Sequence, residues 1–155
     1  MKKETITALL VLVIAGIVLS ANAFADSTII NATVTIPATC GIATTAGTVN
    51  FGSVNAGATS TEQNLIVNNT GSTEANVTIL GTAWVYSSYS MPVGQTKFAV
   101  STGTYASKTA LTAVDQSLAL NVANGGNTPL YLQMAVPYGQ HAGVYDQNIT
   151  VTTTC

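Results

Sequence analysis

His141 is the chain's single histidine, and Asp146 follows it closely at the head of a β-prone stretch. With one of the many serines, the pair could form a hydrolase triad, in which the imidazole takes the hydroxyl proton and the carboxylate orients the imidazole. No serine sits in a nucleophile turn, however, and PYGQHAGVY (137–145) reads as a polar loop whose histidine is simply solvated. Besides Asp146, the carboxylates past the N-terminal segment are Asp26, Glu62, Glu74 and Asp115, and their spacing shows no pairing suited to glycoside hydrolysis. His141 also lacks a second ligand at a spacing that would hold zinc. The expectation is a non-enzymatic protein with no catalytic, cofactor-binding or metal residues.

Other side chains could do non-catalytic work. Trp84, Tyr86 and Tyr89 cluster beside a loop, where exposed rings could stack on a sugar or a partner, although core packing is the commoner use of such residues. Asn31, Asn68, Asn76 and Asn148 each open an N-x-Ser/Thr sequon and are candidate N-glycosylation sites, though threonine-rich strands create such triplets by chance. Lys97 and Lys108 have no spacing that argues for an isopeptide bond. Cys40 and Cys155 are most simply read as one disulfide; two free thiols or a bridge between chains is the alternative.

Compartment follows from the first residues. Lys2 and Lys3 precede an apolar run from Ala8 to Leu19, and Ala23-Phe24-Ala25 supplies the A-x-A pattern of a signal-peptidase site. The run is short of the ~20 apolar residues of a spanning helix. The expected organisation is therefore a secretory signal peptide at 1–25, an N-terminal strand at 26–36, and one β-domain at 37–155. The exported part keeps Lys97 and Lys108 and no arginine. Nucleic-acid binding is excluded on charge, since phosphate backbones need a basic footprint. With 6% charged residues overall, the surface relies on Thr, Ser, Asn and Gly. That composition fits either an ordinary extracellular β-protein or one meant to associate.

The elements that must carry these residues are strands. Past the signal no stretch repeats apolar residues at helical spacing, and β-branched residues abound, so the class is all-β. The spacing predicts strands at 48–54, 62–68, 75–85 with a bulge or bend at Gly81, 97–101, 117–122, 130–136 and 144–154. Val49 and Phe51 face the core in the first of these; Leu118, Leu120 and Val122 share a face in a later one. Residues 86–95 read as a loop, and 102–116 as an ambiguous connection. Counting the N-terminal stretch, about seven or eight strands fit a single β-sandwich, jelly-roll or immunoglobulin-like.

DSTIINATVTI (26–36) alternates strictly, placing Ile30, Ala32, Val34 and Ile36 on one face and Ile29, Asn31, Thr33 and Thr35 on the other. Pro37 ends it. It could be the first strand of its own sandwich or a disordered terminus, but a bridge between Cys40 and Cys155 would leave it outside the closed loop as a free arm. A strand donated to an open sheet edge gains main-chain hydrogen bonds while alternate side chains fill a groove. Repeated head to tail, such a contact does not close and builds a filament.

VNFGSVNAGATSTEQNLIVNNTGSTEANVTI (49–79), with its Phe-Gly turn and NNTG, then YLQMAVPYGQHAGVYDQNITVTT (131–153) and a cysteine at 155, resembles secreted fibre subunits. The likeness is strongest to the archaeal bundling pilins and the TasA-type biofilm matrix protein, and fainter to spore-coat and chaperone–usher pilin domains. The resemblance implies a jelly-roll or immunoglobulin-like sandwich, exported by the general secretory route, polymerised by donor-strand exchange and bundled laterally in a biofilm. It implies a donor strand around Ile30, Ala32, Val34 and Ile36, a Cys40–Cys155 bridge, and copies of itself as partners, with no nucleic acid and no membrane after signal cleavage. The alternative is a monomeric secreted adhesin or carbohydrate-binding module.

Overall fold

Alternation at period two puts every second side chain of a strand on one face, and the computed structural model, which describes residues 31–155, turns that pattern into two layers. Strands form at Ile42–Thr44 (β1), Gln63–Asn69 (β2), Ala75–Gly81 (β3), Trp84–Tyr86 (β4), Tyr89–Met91 (β5), Thr96–Ala99 (β6), Thr109–Ala110 (β7), Gln116–Val122 (β8), Asn127–Met134 (β9) and Ile149–Thr154 (β10). One sheet has the order β1-β2-β9-β6-β7, the other β10-β3-β8, and β4 and β5 make a separate hairpin. Every pairing is antiparallel. Leu65, Val67, Leu130 and Leu132 from the first sheet meet Val77, Ile79, Leu118 and Val122 from the second in one buried core, with Phe98 and Leu111 closing it. The fold is an all-β sandwich.

Sequence and structure agree best where alternation is strict. Leu130, Leu132 and Met134 are all buried along β9, and Leu65 and Val67 along β2. The expected strand 75–85 breaks after Gly81 and resumes at Trp84. A Cβ at Gly81 would lie 2.4 Å from Leu111 Cδ2, so the chain there runs too close to the core for any side chain. The loop expected at 86–95 contains β5 and a short 3-10 turn at Val93–Gln95, and the ambiguous connection holds another at Tyr105–Ser107 followed by β7.

Three expectations fail. Leu118, Leu120 and Val122 do not share a face: Leu118 and Val122 are buried, but Leu120 is exposed. The β3–β8 register slips between Ala75 and Val77 and again between Val77 and Thr78, and Asn121 takes a left-handed φ of 52° with its N–H donated to Asn76 Oδ1. Each bulge reverses the facing of the residues beyond it. The strand expected at 144–154 begins only at Ile149; before it, Val144 is exposed and a single bridge joins Asp146 to Val85. At 48–54 no strand forms at all, a point taken up below.

A buried polar anchor fixes the β2–β3 corner. Asn69, 2% exposed, donates through Nδ2 to the carbonyls of Thr73, Val122 and Ala123, and its Oδ1 accepts from Gly71 N–H. Asn69→Leu would strand several of these partners without water. We expect a loss of about 2 kcal/mol, measured by urea denaturation; a variant as stable as wild type would show the anchor to be dispensable.

Candidate functional site

The two sheets are unevenly closed. Among the described residues β1 and β10 are edge strands, each paired on one side only. β10 carries Ile149, Val151 and Thr153 on its inner face, and all three are half-buried, whereas the inner residues of neighbouring β3, Val77 and Ile79, are at 1% and 0% exposure. Ile42 on β1 is likewise half-buried. Between these edges runs a cleft of about 690 Å³, walled by Ile42–Thr44 and Ile149–Val151 and reaching Leu65, Leu130 and Leu132. A second cavity of about 830 Å³ continues past Phe51 and Trp84 toward Met134 and Tyr145.

The stretch Gly47–Phe51 also lines the cleft. Val49 and Phe51 pack against the core, and the Phe51 ring meets Trp84 edge-on with centroids 5.9 Å apart. Among the described residues, the backbone of Gly47–Val54 makes one hydrogen bond, from Gly52 N–H to Asn50 Oδ1. The inward side chains expected from the sequence are therefore in place, but the ladder is not: no strand of the described residues pairs with this segment, and Gly52, at φ 72°, turns the chain away.

The end of the cleft at the head of β1 is tied down twice. Cys40, just before β1, is bonded to Cys155, just after β10, with Cα atoms 5.8 Å apart across 115 residues of chain. Pro37–Gly41 is pinned to the turn after β2: Ser72 Oγ donates to the Pro37 carbonyl and accepts from Thr39 N–H, both at 2.9 Å, while Ser72 N–H donates to the Thr39 carbonyl and Thr70 N–H to the Gly41 carbonyl. A Cβ on Gly71 would come within 2.3 Å of the Thr39 carbonyl, so this clamp needs glycine. No sequence pattern marks β1, which is three residues long, and none marks Ser72 as a clamp, because its partners are distant in sequence.

Of the arm residues, Ile30 lies outside the described residues. Asn31–Ile36 belongs to no strand, and Val34 and Ile36 are 85% and 75% exposed, with Ala32 exposed as well. Among the sequon residues, Asn31, Asn76 and Asn148 are exposed and Asn68 is half-buried in β2. Trp84 is not a platform: it is buried, and its Nε1 donates to Thr96 Oγ1, which in turn bonds Gln147 Oε1, fixing the approach to β10. Tyr89 stacks on His141 at 4.0 Å, so one face of each ring is already used. The His141 Nδ1 lies 2.7 Å from the Ala142 carbonyl, and Asp146 is engaged through its backbone with Val85. Among the described residues no hydrogen bond joins His141 to Asp146 or to a serine.

An ion pair ties the residue before β2 to the residue before β7. The Lys108 ammonium, its side chain 0% exposed, bonds Glu62 and the Gly103 carbonyl, and Glu62 also accepts from Thr102 Oγ1 and Gly103 N–H. The hydrogen bond from Lys108, then that from Thr102, lower the Glu62 carboxyl from the usual 4.5 to about 2. Stability from this pairing is complete above pH 4.5 and is lost as pH falls through about 2. The thermal midpoint should decline over that window, and Lys108→Met should shrink the decline; equal pH slopes would refute the assignment. Glu62→Ala leaves the buried ammonium without its counterion, with an expected loss of about 3 kcal/mol in chemical denaturation.

No family model matches the chain, and no curated protein matches it.

Proposed function

We propose that the chain is a structural, non-enzymatic subunit of an extracellular filament, each copy completing the next by laying its arm, residues 26–36, into the neighbour's cleft. The observation that carries this reading is the pair of edges, β1 and β10, that are open among the described residues and flank a cleft floored by Leu65, Leu130 and Leu132. A strand with one apolar face fits such a gap, and the arm has that face, with Val34 and Ile36 exposed to solvent. Main-chain pairing would supply affinity, and alternate side chains would set the register. Because donor and acceptor are different surfaces of one chain, the contact is head-to-tail and extends into a filament when its rotation does not close a ring.

The Cys40–Cys155 bond fits an oxidising compartment, and export through the segment 1–25 would bring the protein there. Among the described residues no helix is long and apolar enough to cross a membrane. Lateral bundling of such filaments would draw on the sparsely charged surface. The test is direct: negative-stain micrographs and sedimentation of the secreted protein should show filaments with a regular subunit repeat. A population that stays monomeric at high concentration would overturn the reading and favour an adhesin acting alone.

A further inference from the structure

The stretch Gly47–Phe51 has strand-like side-chain alternation without a ladder. Its Val49 and Phe51 side chains are held by the core, yet among the described residues its backbone bonds to no strand. Gly47, Thr48 and Asn50 are exposed, so their backbone groups are open to solvent. Backbone N–H and C=O groups that lie beside apolar walls ordinarily find protein partners. On the other flank of the same cleft, the outer edge of β10 is also unpaired among the described residues. Two unpaired backbone flanks, with apolar floor between them, make a slot with one strand missing.

We infer that Gly47–Phe51 is a provisional cover of this slot that becomes a strand only when the slot is filled. The occupant is the alternating arm of a second copy of this chain. It takes hydrogen bonds from β10 on one side and from Gly47–Phe51 on the other, joining the two sheets. In the free subunit, Val49 and Phe51 shield part of the floor formed by Leu65, Leu130 and Leu132, which limits the apolar surface exposed before assembly. Gly52 is the hinge that allows this: its left-handed φ lets the cover turn out of line after Phe51. The inference rests on the filament reading but goes further, because an arm could add to β10 alone and leave the cover unpaired.

Amide hydrogen exchange followed by mass spectrometry separates the two. The free state is the full chain carrying Val34→Asp, which changes an exposed side chain; the filled state is that same monomer with an added synthetic peptide of residues 26–37. In the free state the amides of Thr48–Phe51 should exchange within seconds, and on adding peptide they should slow by at least about tenfold, together with those of β10. Wild-type filaments should show the same pair of protected segments. If the peptide protects β10 while Thr48–Phe51 stays fast, the cover is not part of the acceptor, although strand donation itself stands. Slow exchange at Thr48–Phe51 in the free monomer would equally overturn the inference. If the peptide protects nothing and wild type forms no filaments, the filament reading falls and takes this inference with it.

Discussion

Val34→Asp should leave a fully folded subunit that does not form filaments. Val34 is 85% exposed in the subunit, so a carboxylate there disturbs no packing and the melting temperature should stay within about 2 °C of wild type. At a subunit junction the same side chain would point toward the apolar part of the cleft, at Leu130, Leu132 and Val151. Burying an unpaired carboxylate costs several kcal/mol even after relaxation. About 4 kcal/mol per junction weakens each contact on the order of a thousandfold, and every link of the filament carries the same defect. Sedimentation should show monomer at concentrations where wild type pellets. Thr35→Asp is the matched control, because Thr35 belongs to the other face of the alternation, and it should assemble. Filaments of normal yield from Val34→Asp would refute strand donation through this face; loss of filaments from both variants would mean that charge, not facing, is what the arm resists.

How much of this was legible in the residues depends on whether the deciding contact is local. β2 and β9 were readable because Leu65, Val67, Leu130, Leu132 and Met134 alternate and are buried in that phase. The β8 error came from the paired bulges, which reverse Leu120 relative to Leu118 and Val122; a bulge is set by the partner strand and leaves no mark on the alternation itself. For Trp84 beside tyrosines core packing was the commoner reading, and its burial with a hydrogen bond to Thr96 agrees with it. The segment 48–54 is more instructive. Its side chains were placed correctly, facing the core at Val49 and Phe51, and its missing ladder was invisible, because a sequence states which face is apolar but not whether a neighbour is present. The Cys40–Cys155 bond was the reverse case: a long-range contact made legible because two cysteines allow one pairing within the chain.

Removing that bond, by Cys40→Ser with Cys155→Ser or by reduction, should produce the largest loss of stability in the subunit. It closes a loop with a sequence separation of 115 residues, and in the chain-entropy model a loop of about 100 residues is worth up to ~4.7 kcal/mol. For a domain of this size that corresponds to a fall of roughly 10–20 °C in the thermal midpoint. The local consequence matters as much. Among the described residues β10 is paired on one side, to β3, and its inner face is half-covered, so the bond at Cys155 is what holds its far end to the head of β1. Without it β10 should fray from Thr154 inward, and the cleft would lose one of its walls. Reduced subunits should therefore fail to assemble even below their melting point. Filaments assembled before reduction should persist, because a donated strand would then hold β10 from its open side. A double-serine variant that melts within about 2 °C of wild type would show that the bond contributes little, and preformed filaments that dissolve as fast as free subunits unfold would show that nothing pairs with the open edge of β10.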